Sequence, residues 1–135
     1  MKKFLSVLAI LFLTSLLSGC DSKEGHIIFN KTPITKNTIS ESTNVFRPGD
    51  RIYYLITTPK EIKSKYILIQ VVKMGKEERL GYELVWGKQV KMRDEQIYYY
   101  TDYIVLNETG AYTMRAIARD NPTKVFATNN FYIRE

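Results

Sequence analysis

Tyr66-Ile67-Leu68-Ile69-Gln70-Val71-Val72-Lys73 carries the strongest alternation in the chain. Ile67, Ile69 and Val71 fall on one face of a strand, and the run is dominated by residues that favour a pleated surface. Arg51–Thr57 repeats the pattern with Ile52, Tyr54 and Ile56 on one face. Tyr82–Met92 predicts a third strand, with Leu84 and Trp86 on one face, Val85 on the other, and Gly81 and Gly87 marking a bend or bulge. Ile97–Leu106 predicts a fourth, with Tyr98, Tyr100 and Asp102 on one face and Tyr99, Thr101 and Tyr103 on the other. Ala111–Ala118 turns Tyr112, Met114, Ala116 and Ala118 inward. Val125–Ile133 supplies a last strand with a break expected at Asn129-Asn130. Turn chemistry separates the runs: Pro48-Gly49, Met74–Glu78, Arg93–Glu95, Asn107–Gly110 and Asp120–Pro122. No helical period follows Cys20, so the pattern predicts an all-β sandwich or barrel.

The first twenty residues follow a different rule. Lys2 and Lys3 precede an apolar run from Phe4 to Leu17, and small residues Ser18 and Gly19 close it. A charged start, a short apolar stretch and a small-residue end describe a secretory signal segment, expected as a helix. The run is shorter than the roughly 20 apolar residues a membrane span needs. Leu17-Ser18-Gly19-Cys20 resembles the lipobox of bacterial lipoproteins. The resemblance implies cleavage before Cys20, a diacylglycerol on its thiol and an acylated new N-terminus. A lone cysteine in an exported chain otherwise lacks a partner. Two or more acyl chains anchor a protein stably. The membrane is therefore an expected partner, through covalent lipid on Cys20, and the expected location is the bacterial envelope. Asp21 resembles an inner-membrane retention signal of some lineages, which leaves the periplasmic or surface face open.

Three segments result: a signal peptide over 1–19, the lipidated cysteine and a tether over 20–44, and a domain over 45–135. The tether is rich in Thr, Ser, Asn and Lys, a poor core-forming composition. Ile27–Phe29 or Ile34–Ile39 can supply a first edge strand. The formal charge of the chain is +6. It is spread without a block of like charges, so a nucleic-acid partner is not expected.

Pro48 and Gly49 suit the second and third positions of a type II turn. Leu106-Asn107-Glu108-Thr109-Gly110-Ala111-Tyr112 places a tyrosine two residues after a glycine turn. That stretch resembles the tyrosine corner of immunoglobulin-like sandwiches, whose hydroxyl bonds backbone upstream. Met114 stands where antibody-type domains have a cysteine, and the strand expected to hold their core tryptophan has none. The domain is thus similar to disulfide-free immunoglobulin-like modules of bacterial envelope proteins, with about seven antiparallel strands. Pro48, Gly49, Gly110, Tyr112 and Met114 are its structural residues.

The chemistry-bearing residues are sparse. The one histidine, His26, lies in the tether, and Cys20 is expected to be acylated. Nucleophile–base pairs and zinc ligand sets need more than this. Glu77, Glu78, Asp94 and Glu95 fall at turn tips. Loop oxygens at Asp102, Asn107, Glu108 and Asp120 could bind calcium, without the spacing of a calcium-loop motif. The residues predict no enzymatic activity, no cofactor and no resident metal. The tyrosine-rich strand must expose one face, so Tyr82, Trp86, Tyr99 and Tyr103 are the candidate partner-binding surface. The expected function is a lipid-anchored binding module for a protein or envelope polymer. The alternative is an inhibitor or chaperone-like accessory that engages a partner by a loop or strand edge.

Overall fold

Alternating burial along the chain builds eight strands, seen in a computed structural model that describes residues 25–75, 82–96, 98–119 and 125–135. The signal segment, its expected helix and Cys20 lie outside the described residues. The strands are β1 (His26–Asn30), β2 (Val45–Phe46), β3 (Arg51–Thr57), β4 (Tyr66–Met74), β5 (Tyr82–Lys91), β6 (Tyr99–Val105), β7 (Gly110–Ala118) and β8 (Val125–Ile133). One sheet has the order β1-β3-β6 and the other β2-β8-β7-β4-β5. The expected seven antiparallel strands become eight, and one pair, β2 with β8, is parallel. β1 comes from the tether that composition reads as poor, and β2 opens the domain expected over 45–135. Phe29 and Phe46 are each fully buried, and an aromatic of that size outweighs polar neighbours in a short strand.

The core lies between the sheets. Ile27 and Phe29 meet Ile52, Tyr54 and Ile56, then Tyr100 and Ile104, from the three-stranded side. Ile67, Ile69, Val71, Tyr112, Met114, Ala116, Phe131 and Ile133 face them from the other. Phe131 joins the two layers. Its ring lies 5.1 Å from Phe29, 6.3 Å from Phe46 and 5.3 Å from Tyr112, the last nearly parallel. Edge-on and offset contacts of this kind add to simple area burial.

Residues 31–44 fold back on the domain. Buried Asn30 donates through Nδ2 to the Thr38 carbonyl at 2.8 Å and accepts from the Lys31 amide at 2.8 Å. Thr38 Oγ1 donates to the Pro33 carbonyl, and the Thr43 amide donates to the Phe29 carbonyl at 3.0 Å. Ile34–Ile39 forms turns ahead of a 3-10 helix at Ile39–Glu41, so the first strand is His26–Asn30.

The turns confirm their chemistry. The Asp50 amide donates to the Arg47 carbonyl at 3.1 Å across Pro48-Gly49, with Gly49 at φ 84°. That is the type II geometry the two residues favour. Tyr112 Oη donates to the Glu108 carbonyl at 2.6 Å, four residues upstream. Gly110 opens β7, and Met114 is fully buried opposite Val71.

Two expectations are corrected. β8 runs unbroken through Asn129-Asn130, because Asn129 pairs with Met114 and Asn130 with Thr113. Its irregularity lies at Phe126 instead, where the register slips between Ala116 and Ile117. On β5, Val71 pairs with Trp86 and Val72 with Leu84, so Val85 is the extra residue of a bulge. Val85 and Trp86 therefore both pack on the core, and Leu84 is left exposed. A bulge of one residue breaks the two-residue alternation from which the opposite arrangement was expected.

Candidate functional site

The outer face of the three-stranded sheet gathers the exposed aromatics. Inward residues of β3 and β6 are Ile52, Tyr54, Ile56, Tyr100 and Ile104, so pleating sends Tyr53, Leu55, Tyr99, Thr101 and Tyr103 outward. Tyr53 pairs with Tyr103, Leu55 with Thr101 and Thr57 with Tyr99. On the other side of β3, Ile28 pairs with Leu55. The Tyr53 and Tyr103 rings lie 5.4 Å apart at 47°, and the Arg51 guanidinium sits 5.1 Å over the Tyr103 ring. Tyr99 and Tyr103 keep 41% and 43% of their surface in solvent.

At the Arg51 end this face meets an open cavity of about 270 Å³ lined by Lys31, Arg47, Asp50 and Arg51. Lys31 follows β1, Arg47 and Asp50 flank the Pro48-Gly49 turn, and Arg51 opens β3. The turn fixes the cavity wall: Asp50 Oδ2 accepts from the Arg47 amide at 2.9 Å, and the Gly49 amide donates to the Leu106 carbonyl at 3.0 Å. Sequence reasoning found none of these cations, because each was read singly among dispersed charges. Arg47 and Arg51 flanking a tight turn was the available signal.

A second polar group lies between the sheets. Asp102 Oδ2 accepts from Tyr100 Oη at 3.2 Å and from Lys88 Nζ at 3.3 Å. The Tyr54 hydroxyl is buried with no hydrogen-bond partner among the described residues. Burial, then the nearby Tyr100 and Asp102, pushes it far above the ordinary tyrosine range. Burial, with the Asp102 carboxylate second, pushes Tyr100 up to about 12. Of the oxygens considered for calcium, Asp102 serves this group and Glu108 pairs with Lys73. Asn107 sits in an exposed turn, and Asp120 lies outside the described residues.

The four candidate surface residues do not form one patch. Tyr99 and Tyr103 share the outer face just described. Trp86 is half-buried on the edge strand of the other sheet, packed against the core. Tyr82 opens that strand, and its side chain lies outside the described residues. His26 is exposed at the start of β1, opposite Thr57.

No protein-family model and no curated protein matches the sequence. Solved structures match the fold. The soluble domain of PmoD from Methylocystis sp. ATCC 49242 (Rockwell) is 6% identical, with 84% of this chain and 93% of that one covered and a TM-score of 0.50. A superoxide reductase (neelaredoxin) from Ignicoccus hospitalis is 7% identical over 86% of this chain and 85% of that one, with a TM-score of 0.46. Another form of that reductase is 4% identical over 84% and 83%, with a TM-score of 0.47. The PmoD likeness, at 6% identity, shows the fold alone. The expectation of a chain without enzymatic activity is set aside, since two of these solved structures are of a superoxide reductase. At such identity the fold assigns no activity to this chain.

Proposed function

We propose that the chain is a lipoprotein of the bacterial envelope, held to a membrane through lipid on Cys20, whose immunoglobulin-like sandwich binds a protein or envelope polymer. The finer fold reading is supported by the strand orders β1-β3-β6 and β2-β8-β7-β4-β5, by the parallel β2–β8 pair, and by the Tyr112–Glu108 hydrogen bond. Among the described residues no helix is long and apolar enough to cross a membrane, and a lipid needs none.

The observation that carries the binding reading is the outward row of Tyr53, Tyr99 and Tyr103 on one sheet face. Tyrosine offers a large contact area at low entropic cost, with a polar tip that tolerates water before the partner arrives. The test uses cross-linked envelopes. Wild-type chain should recover a partner that Tyr99→Ser with Tyr103→Ser loses, and Cys20→Ser should leave the membrane fraction. A partner recovered equally by the double tyrosine variant sinks the aromatic-face reading.

The open edges of β5 and β6 favour the second reading, an inhibitor or chaperone-like accessory that pairs a strand edge. Edge pairing uses backbone groups, so it survives both tyrosine substitutions. That outcome separates the two.

A further inference from the structure

We infer that the Lys31–Arg47–Arg51 cavity and the neighbouring Tyr53 and Tyr103 rings form one composite site for an anionic polysaccharide. The ligand class is a chain of sugar rings bearing carboxylate, sulfate or phosphate groups. The inference deepens the binding-module reading and rests on it.

Charge comes first. Three cations and one carboxylate line the cavity, and Asp50 already accepts from the Arg47 amide. Among the described residues none of the three cations has an ion-pair partner. Three other basic side chains are ion-paired, Lys73 with Glu108, Lys88 with Asp102 and Arg93 with Glu95, so the cavity stands out by bringing three unpaired cations together. Three like charges facing one hollow repel each other until an anion enters. Arginine favours planar oxyanions, which it binds with a two-pronged donor.

The rings narrow the ligand further. Arg51 belongs to both halves of the site, lining the cavity and lying 5.1 Å over Tyr103. Tyr53 stands 5.4 Å from Tyr103 on the same face. An anion in the cavity that draws Arg51 toward it therefore has the Tyr53 ring and the exposed part of the Tyr103 ring directly beside it. A sugar ring has an apolar C–H face that packs on an aromatic ring, and hydroxyls that reach the phenol tip. A charged sugar satisfies both halves at once. An acidic peptide uses them less well. The open β6 edge beside Tyr103 could extend a peptide backbone, but a peptide lacks the flat C–H ring face that packs on Tyr53 and Tyr103.

Position disfavours a lipid headgroup. The five peptide steps from Cys20 to Gly25 reach at most about 18 Å. The proposed anchor thus enters at the His26 end of the sandwich, beside Thr57 and Tyr99. The cavity lies at the opposite end of β3, about 20 Å further on at strand rise.

The test is titration of the full chain, in non-ionic detergent, with polygalacturonate, dextran sulfate, uncharged dextran, polyglutamate and glycerol 3-phosphate, which carries the headgroup chemistry without a bilayer. Both charged polysaccharides should bind and dextran should not. Affinity should fall at least about tenfold as salt rises from about 50 to about 500 mM. Arg47→Gln with Arg51→Gln should lower affinity about tenfold or more at low salt. Tyr103→Ala should lower it about threefold or more, with the loss persisting at high salt, where charge is screened. The tighter of the two polymers names the preferred anion. Polyglutamate binding as tightly and indifferent to Tyr103→Ala overturns the inference in favour of an acidic peptide. Binding to glycerol 3-phosphate alone, or to none of the probes, overturns it as well. A partner still recovered through Tyr99 and Tyr103, with no polysaccharide bound, removes this inference and leaves the module reading in place.

Discussion

The outer faces of the two sheets are built from similar strand-forming residues and finish differently. On the five-stranded sheet, Arg115 Nε donates to Gln70 Oε1 at 2.8 Å across β7 and β4, and Thr113 Oγ1 lies 2.7 Å from Asn130 Oδ1 across β7 and β8. Tyr66 and Tyr132, outward on this sheet, are each covered by a guanidinium, Arg119 and Arg134, both at 5.2 Å. That face pairs these polar groups and caps these rings, while Met74, Leu84 and Val125 at its strand ends and edge stay exposed. The three-stranded face has Ile28, Tyr53, Leu55, Tyr99, Tyr103 and Val105, with a single cation, Arg51, over one ring. Strand propensity accounts for tyrosine on both faces. It does not account for leaving one of them uncovered, and an uncovered apolar face is where a partner gains most.

The largest expected effect removes what the two faces share. Phe131→Ala deletes the ring that meets Phe29 of one sheet and Phe46 and Tyr112 of the other. Loss of a buried phenylalanine costs about 3–5 kcal/mol, enough to unfold a marginal domain. Chemical denaturation of the variant measures it. A loss below about 1 kcal/mol would mean that the sheets are held together elsewhere.

Alkali probes the inner side of the three-stranded sheet. Tyr54 and Tyr100 are raised, chiefly by burial, with Tyr100 at about 12. Unfolded tyrosine ionises near pH 10. The stabilisation from keeping these hydroxyls neutral is complete below about pH 10 and is lost as pH rises through about 12. Phenolate absorbance should therefore show late-titrating tyrosines whose ionisation coincides with unfolding. Tyr54→Phe should make the loss shallower. It also removes an unpartnered buried hydroxyl, so its stability at neutral pH should not fall. A Tyr54→Phe variant as alkali-sensitive as wild type would discount the buried pair.

Tyr112→Phe comes next. Its hydroxyl holds the Glu108 carbonyl at 2.6 Å, and removal should cost about 1 kcal/mol, read as a shifted denaturation midpoint. This bond was legible in the sequence because a glycine turn, a tyrosine and a strand stand at fixed spacing. The same holds for the Pro48-Gly49 turn and for β3, β4 and β7, whose alternation is local. The rest was less legible for physical reasons. β1 and β2 depend on Phe29 and Phe46 finding Phe131, a contact across about a hundred residues that composition cannot show. The Val85 bulge depends on how β4 and β5 pair, and it turned Trp86 from a surface residue into a packed one. The outward row of Tyr99 and Tyr103 was readable from alternation. The cavity beside it was not, since Lys31, Arg47 and Arg51 come together only when β1 and β3 pair.

The smallest stability effect gives the sharpest test of the two faces. Tyr103→Ser on the three-stranded sheet should change stability by no more than about 0.5 kcal/mol, because a side chain 43% exposed contributes little packing. Arg115→Ala on the five-stranded sheet breaks the bond to Gln70 and should cost about 1 kcal/mol. Binding should rank the other way, with Tyr103→Ser losing the partner and Arg115→Ala keeping it. A protein selected only for folding would satisfy both faces alike, and both substitutions would then move the denaturation midpoint without touching any interaction. Stability and binding ranked in opposite order would show that the exposed rings are left free for a partner. The same order in both would mean that they serve the fold alone.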